Sequence, residues 1–520
     1  MFEGDNKREK ILVLLTCCFA LFMAMLDNTV VNVALPRLAE SLHAGISGLQ
    51  WVVDGYVLAF ASLMLTGGIL GDRYGRKRMF LSGLVVFTFS SLMCGLSSST
   101  GMLIAFRGLQ GVGGALLMPG TLSILTVTFP PHERAKAIGI WAGVSGLALS
   151  LGPTLGGYLV QHVGWESVFF INVPIGILGF FVGVRNIIES RSEQARHLDA
   201  PGLLLGTGAL FSLTYALIEV NQFGWSSPSI VTALVAAVIL FITFLQYEKR
   251  ARAPMMPLQF FRIPAFSAGN SVAFSISLGM FGTFFFVSLY MQFIRGYGPF
   301  AAGLRFLPLT GMIVIAAPLA GRYASKFGSR WPMVVGPLLA GTGLILLSRI
   351  GVATPFSHIF PIFMMMGFGM GITMTPMTAA VMNAVGAQRA GLGSAMTNTS
   401  REVGGVFGIA LLGTLLTTKL KSTFSTLLAP LALPAAQKAA IVASGGHVEL
   451  DPRLLAGLGQ QKAVAVQRAF DLSFVDGFHI ALFVAALFLI VAAIVSWRFI
   501  PSGAPQRVES VPGAEPVAVH

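Results

Sequence analysis

Charge is the scarcest property of this chain. Of its 520 residues only 11% are Asp, Glu, Lys or Arg, and the mean hydropathy is +0.78. A water-soluble domain carries about a quarter charged residues, so a soluble fold is excluded and most of the length belongs in lipid. Acidic residues are the rarer sign, 21 against 34 Lys and Arg, for a net charge of +13. Such an excess can mark a nucleic-acid binder. Here the basic residues sit in short segments between apolar runs, the pattern that sets orientation in a bilayer, and nucleic acid is excluded as a partner. Cysteine is nearly absent: Cys17, Cys18 and Cys94 all fall in apolar runs, which leaves no disulfide framework and no metal-ligand spacing. Lys7, Arg8 and Lys10 precede the first apolar run as in a signal peptide, but no small-residue cleavage site closes it, so it reads as an uncleaved first span.

What the chain has is apolar runs of about 20 residues, the length that crosses a bilayer. About fourteen recur, near 11–35, 48–70, 79–97, 101–125, 135–160, 168–188, 199–219, 228–247, 265–293, 302–322, 331–350, 357–382, 390–416 and 474–497. The connecting segments on one side hold Arg73, Arg76, Lys77, Arg78, Arg134, Lys136, Arg185, Lys249, Arg250, Arg322, Lys326 and Arg330, among others. The short segments on the other hold only Arg37, Arg295 and Arg349. The basic side is therefore expected to be cytoplasmic, with both termini. A long outer loop, 417–471, is excused from this rule by its length, and its Ala/Leu/Gln-rich stretches suggest helix at or above the outer surface. The tail 501–520 reads as disordered.

The densest charge lies at Gly68-Ile69-Leu70-Gly71-Asp72-Arg73-Tyr74-Gly75-Arg76-Lys77-Arg78, between the second and third runs. Gly71 and Gly75 permit a tight turn there. A fainter copy, Gly321 to Arg330, sets Gly328 on Gly75 and Ser325 on Asp72, which implies an internal duplication. The first stretch resembles the G-x-L-x-D-R-x-G-R-K signature of the major facilitator superfamily. The resemblance implies an all-α integral membrane fold of two six-helix bundles: residues 1–188, and 263–500 with the 417–471 loop, around an inserted helix pair at 189–262. Fourteen spans with such a pair resemble the drug:proton antiporter branch of the EmrB/QacA type. In relatives the hinge motif, here Gly68, Asp72, Arg73, Gly75, Arg76 and Lys77, latches the halves on the cytoplasmic side.

Further motifs carry candidate chemistry. Leu26-Asp27-Asn28-Thr29-Val30 through Pro36 is similar to the first-span signature of that branch. Asp27 is a carboxylate at lipid depth, which by default faces water, a partner or a proton pathway; a structural cap is the plainer alternative. Asp54, in Trp51-Val52-Val53-Asp54-Gly55-Tyr56, either adds a second buried carboxylate that invites cationic substrates or lies near enough to the surface to stay hydrated. Arg107-Gly108-Leu109-Gln110-Gly111 resembles the superfamily's R-x-x-Q-G motif and puts Arg107 and Gln110 on one helix face. Arg107 keeps its proton, so it can pair with a carboxylate and be released when that carboxylate is protonated. Gly152-Pro153-Thr154-Leu155-Gly156-Gly157 looks like the antiporter motif G-P-x-x-G-G, whose small residues let helices slide and seal. Trp165 to Gly176 matches another stretch of the branch, departing at Glu166 and Ser167 where Arg and Trp are usual. Glu402 replaces a common Gln near mid-span and is a third carboxylate candidate, whereas Glu219 is expected at the surface.

Resemblance to the fold puts Met370, Met374, Phe281 and Phe285 on spans that line the cavity, as an adaptable wall for aromatic cations; taken singly, most such residues would face lipid instead. The combined reading is a proton-coupled exporter of hydrophobic, cationic compounds in a bacterial inner membrane. It needs the proton gradient but no cofactor or metal, and a periplasmic adaptor is left open. Asp27, Arg107 and Glu402 are its coupling candidates, with Asp54 placed at the depth of Asp27 and Arg107 so that the three could exchange partners. Export of an endogenous lipid or metabolite is the alternative. A remote one is an intramembrane serine hydrolase using Gly143-Val144-Ser145-Gly146 with His479 as base. The orientation has a direct test. In a chain lacking Cys17, Cys18 and Cys94, a cysteine at Gly445 is expected to react with an impermeant thiol reagent outside intact cells, and one at Arg76 is not. The reverse pattern overturns the topology.

Overall fold

A computed structural model describes residues 7–191, 199–251, 254, 256–385, 390–431, 433–434, 441 and 458–503. These residues are built of α-helices, since in lipid a helix satisfies its own backbone polar groups. In chain order they are α1 (Lys7–Leu42), α2 (Ile46–Tyr74), α3 (Arg76–Gly95), α4 (Thr100–Thr128), α5 (Pro131–His162), the short α6 (Ser167–Phe170) and α7 (Asn172–Asn186). There follow α8 (Ala200–Phe223), α9 (Pro228–Arg250), a 3-10 turn (Leu258–Arg262) and α10 (Pro264–Leu289), which runs on through a π turn (Tyr290–Ile294). The last set is α11 (Pro299–Arg305), α12 (Leu307–Phe327), α13 (Arg330–Leu347), α14 (Phe356–Val385), α15 (Ala390–Leu427) and α16 (Gln460–Phe499). Thirteen spans among the described residues are long and apolar enough to cross a membrane. The 32-residue α5 packs among them, against α1 and α11.

Local chemistry sets the helix ends. The Ser99 hydroxyl accepts from the Met102 N–H at 3.3 Å to cap α4, and Asp199 accepts from Gly202 at 2.9 Å to cap α8. Proline occupies the first turn of α5, α8, α9, α10, α11 and α12, where its missing N–H is not needed. The two hinges behave as copies. Gly75, at φ +114°, turns α2 into α3, and Gly328, at φ +94°, turns α12 into α13. Both conformations belong to glycine, and both glycines are roofed by the segment that follows the last helix of their own half. A side chain at Gly75 would meet the Glu189 carboxylate at 2.6 Å, and one at Gly328 would overlap the Gly503 backbone.

The architecture is two six-helix bundles with α8 and α9 inserted between them. The inserted pair packs on itself and leans on α2 and α15. Glu219 is part of that joint rather than a surface residue: it accepts from Ser47 Oγ and from Trp51 Nε1, both at 2.8 Å. The described ends of the 417–471 loop are helical and stand above the surface as continuations of α15 and α16, which are 38 and 40 residues long. At about 1.5 Å per residue each is close to 60 Å, roughly twice the apolar thickness of a bilayer. The extensions pair with each other: Thr423 donates to Asp476 at 2.7 Å, Lys419 meets Asp476 at 3.2 Å, and Phe424 sits edge-on to Phe470 at 5.7 Å. The centre of the 417–471 loop and the 501–520 tail beyond Gly503 lie outside the described residues.

The halves are joined at one end only. Gln50 donates to the Ile409 carbonyl at 2.8 Å, Ser288 to Asn32 at 2.7 Å and Gln292 to Val33 at 3.1 Å. The Phe300 N–H donates to Gln161 at 3.1 Å, and Ser150 to Thr310 at 3.4 Å. All of these lie at the end opposite the Gly75 and Gly328 hinges. Among the described residues no hydrogen bond joins the two bundles at the hinge end. The seal depends on bare backbone: a side chain at Gly157 would overlap Pro299 and one at Gly303 would overlap Pro153, so α5 and α11 touch main chain to main chain. Gly157→Leu is expected to force them apart. Spin labels at the exposed positions His162 and Leu304 should report a longer, broader distance than in the unsubstituted seal. An unchanged distance would show that the close approach is not what closes this end.

Candidate functional site

The centre of the first bundle holds a buried ion pair. Asp27 on α1 has no exposed surface, and Arg107 on α4 is 1% exposed. Arg107 Nη1 donates to Asp27 Oδ2 and, at 2.9 Å, to Gln110 Oε1. Gln110, one turn further along α4, donates from its amide to Asp27 Oδ1 at 3.0 Å, and Asn172 at the head of α7 adds a longer bond at 3.4 Å. Asn172 is itself held by Ser91 Oγ at 3.0 Å, and Ser91 donates to the Phe169 carbonyl at 2.9 Å. Arg107 Nε reaches the Val52 carbonyl at 3.0 Å. Its guanidinium lies 4.3 Å from the centre of the Tyr56 ring and 5.8 Å from that of Phe169. A charge at lipid depth persists only when paired and hydrogen-bonded, and here α1, α2, α4 and α7 all contribute. Of the two charges only Asp27 can change on protonation. A proton on Asp27 would leave Arg107 with neutral partners and a π face.

The other carboxylates are placed differently. Asp54 is fully buried, and neither of its oxygens has a hydrogen-bond partner. This removes the hydrated-surface alternative. In this conformation Arg107 takes the Val52 carbonyl rather than Asp54. Asp54 lies one turn from Gln50, on the α2 face that meets α15. Glu402, on α15, is 8% exposed and its Oε2 has no partner. Tyr56 lies within electrostatic range of both Asp27 and Glu402, which places the α15 carboxylate across the divide from the ion pair.

The Met and Phe wall is core in this conformation. Met370 and Phe285 have no exposed surface, and Phe285 packs edge-on against Phe286 at 4.8 Å. Phe281 rests on Gly405, while Met374 is half-buried. Phe281 and Phe285 are covered because α10 packs against α15, α16, α14 and α1. At the hinge, Asp72 accepts from its neighbour Arg76 at 2.8 and 2.9 Å and from no residue of the other half. Arg73 lies 5.5 Å from the Tyr74 ring centre, Lys77 Nζ donates to the Val184 carbonyl at 2.7 Å, and a side chain at Gly68 would meet Pro119 at 3.6 Å. Gly152 and Gly156 seat α5 on Thr29 and Val30 of α1, and Pro153 faces Gly303. Glu189, which no motif marks, caps α3: it accepts from the backbone N–H of Lys77 at 3.1 Å and of Arg78 at 3.3 Å. Its only signal was an acid just after the sixth span. Asn172 had a better one, as the Asn of the Trp165 to Gly176 stretch.

Two helix bundles joined at one end, crossing a membrane repeatedly around a buried ion pair, define a membrane transporter. Residues 17–409 match the Major Facilitator Superfamily, and the chain belongs to it. It is 37% identical over 487 residues to the tetracenomycin C resistance and export protein of Streptomyces glaucescens, covering 93% of this chain and 90% of that one. It is 34% identical over 508 residues to the multidrug resistance protein Stp of Mycobacterium tuberculosis (95% and 93%), and 39% identical over 395 residues to the methylenomycin A resistance protein of Streptomyces coelicolor (76% and 83%). Its fold is that of a bacterial homologue of the human lysosomal transporter Spinster, solved in an inward-facing, unoccupied conformation. The TM-score is 0.63 at 17% identity, over 96% of this chain and all of that one. The protein is a transporter and not an enzyme, which overturns the hydrolase alternative. The His479 ring contacts the Ile350 carbonyl at 2.6 Å, so the segment after α13 accounts for it.

Removing one partner of a buried pair strands the other charge. Asp27→Asn and Arg107→Ala are each expected to destabilise the purified protein by about 3–5 kcal/mol. The uncharged double variant Asp27→Asn/Arg107→Gln should recover a good part of that loss. Thermal unfolding in detergent measures both; simple additivity would show that the two charges do not depend on each other.

Proposed function

We propose that the protein is a proton-coupled antiporter of the fourteen-span EmrB/QacA type, exporting hydrophobic, cationic compounds out of the cytoplasm. The observation that carries this is the Asp27–Arg107 pair, in which one titratable carboxylate is held among groups that cannot titrate. The resistance and export names of its relatives support the direction of transport. With the basic hinge on the cytoplasmic side, the joined end faces out and the separated end faces the cytoplasm, so the conformation described is the inward one.

The chemistry follows from competition for one charge. Unprotonated, Asp27 binds Arg107. Protonated, it frees Arg107; in the inward conformation a cation arriving from the cytoplasm displaces that proton, and once the halves have rocked a proton from outside displaces the cation. Asp54 and Glu402 are further buried carboxyls, one in each half; ionised when a cation arrives, they would favour substrates with more than one positive group. The hinge pairs, Asp72 with Arg76 and Glu189 with the start of α3, are the elements that would re-form contacts across the halves when the inner end closes.

The test is proton release. In weakly buffered detergent solution, adding ethidium or tetraphenylphosphonium to the unsubstituted protein is expected to release protons. Asp27→Asn should abolish the release and proton-driven export in proteoliposomes. If Asp27→Asn still releases protons, coupling lies elsewhere, with Glu402 the next carboxylate to substitute.

A further inference from the structure

The inserted pair contributes nothing to the buried ion pair, yet it touches both halves. At the joined end α8 lies along the seam between α2 of the first half and α15 of the second. Leu217 and Ile218 of α8 and Ala410 of α15 form one apolar cluster, and Trp51 of α2 packs against it. The Trp51 ring centre is 5.8 Å from that of Phe211 and 6.4 Å from that of Tyr215, both on α8. Opening the outer end has to part α2 from α15, so α8 cannot keep its bonds to both.

The two sets of bonds differ in chemistry. Toward α15, Thr414 Oγ1 donates to the Leu217 carbonyl and Lys421 Nζ to the Asn221 carbonyl. Thr418 donates to Asn221 Oδ1 at 2.8 Å, and Asn221 Nδ2 to the Thr414 carbonyl at 3.4 Å. Every acceptor in this set is a carbonyl, so acid does not weaken it. Toward α2 both bonds end on one atom of a titratable group: Ser47 Oγ and Trp51 Nε1 donate to Glu219 Oε1, each at 2.8 Å. Glu219 is partly exposed, so a proton from the adjoining solution can reach it. Hydrogen bonds to a carboxylate are roughly twice as strong as those to a neutral oxygen. Protonation therefore loosens the α2 side and spares the α15 side.

α8 packs on α2, α9 and α15. Among the described residues, the other titratable groups near this end are Tyr215 on α8 itself and Lys419 and Lys421 on α15, and Lys419 pairs with Asp476 of α16. α2 carries no titratable group before the fully buried Asp54, and α9 carries its own, Tyr247 to Arg250, at the opposite end. One further bond crosses the seam directly, from Gln50 to the Ile409 carbonyl, and neither group titrates.

We propose that Glu219 is a proton-responsive clasp on the outer seam: ionised, it ties the inserted pair to α2 and holds that end shut; protonated from outside, it lets α2 go, and α8 and α9 travel with α15. The proton returns to the outside when the end closes again, so the clasp gates movement without adding to the protons carried at Asp27. The proposal rests on the antiport reading only for the side from which the proton comes.

The test is spin-label distance measurement on the purified full chain lacking Cys17, Cys18 and Cys94. Labels at the exposed positions Gln222 and Ser41 report α8 against the first half, and labels at Gln222 and the exposed Ser422 report it against the second. From about pH 8 to about pH 4, across the titration of a glutamate, the first distance should lengthen and the second should hold. Glu219→Gln keeps the shape and removes the charge. At the alkaline end it should raise the ratio of long to short Gln222–Ser41 distances by about 5- to 30-fold, and it should flatten the rise toward acid. Asp27→Asn should leave that rise in place. Glu219→Gln should still release protons when tetraphenylphosphonium is added, which keeps failure of the clasp distinct from failure of the antiport reading. If Glu219→Gln does not fold, as judged by gel filtration, Ser47→Ala with Trp51→Phe removes both donors and should give the same lengthening. Unaltered Gln222–Ser41 distances in the substituted chain at the alkaline end overturn the proposal, as does an acid response that persists in Glu219→Gln. A Gln222–Ser422 distance that lengthens instead would show that α8 stays with α2, and also overturns it.

Discussion

The first bundle depends on one constraint: a guanidinium in the middle of a membrane must find its partners within the protein. Arg107 meets this with a carboxylate, an amide, a backbone carbonyl and an aromatic face contributed by neighbouring helices. The positions of α1, α2, α4 and α7 are therefore coupled through a single side chain. Shifting any of them alters the surroundings of Asp27, and altering the charge of Asp27 weakens the hold on all of them. Such reciprocity is what a machine that links ion binding to movement requires. Asp54, and Glu402 at Oε2, lack such partners, so as ions they would be far less well supported than Asp27.

The contrast between the two ends of the molecule follows from residue size and charge. One end is stitched by short polar side chains and by glycines that bring backbones together. The other carries long basic side chains that bind within their own half, as Arg76 does to Asp72 and Lys77 to Val184. Small residues make a seal that separates as a unit, because little interdigitates across it. Long charged ones can exchange partners without repacking a core.

Much of this was legible in the chain. Lipid enforces helices, so span positions follow from apolar length, and the paired hinges revealed the duplication before any coordinates. Asp27, Arg107 and Gln110 could be placed together because a carboxylate, a permanent cation and an amide at lipid depth have few other ways to be satisfied. What escaped the sequence were contacts decided by tertiary geometry. Glu219 looked like a helix-end residue, yet its bonds to Ser47 and Trp51 exist only because the inserted pair leans on α2. Asp54 looked equivalent in depth to Arg107, but depth says nothing about which face of α2 it occupies. Phe285 looked like a wall residue, and only packing shows it covered by the helices around α10. For the 417–471 segment the sequence left open whether helix lies at the surface or stands above it, because helix propensity does not say whether a helix lies flat or continues a span; its described ends continue α15 and α16.

That last feature has a mechanical consequence. α15 and α16 leave the bilayer without a break, braced by Asp476 against Thr423 and Lys419. The stretch of α15 from Thr417 to Leu427 forms an arm of roughly 16 Å at 1.5 Å per residue, rigidly attached to the second bundle. When that bundle tilts, the tip must swing sideways in proportion to its height above the membrane. A small rotation at lipid depth thereby becomes a larger displacement at the tip of the arm, on the end opposite the hinges.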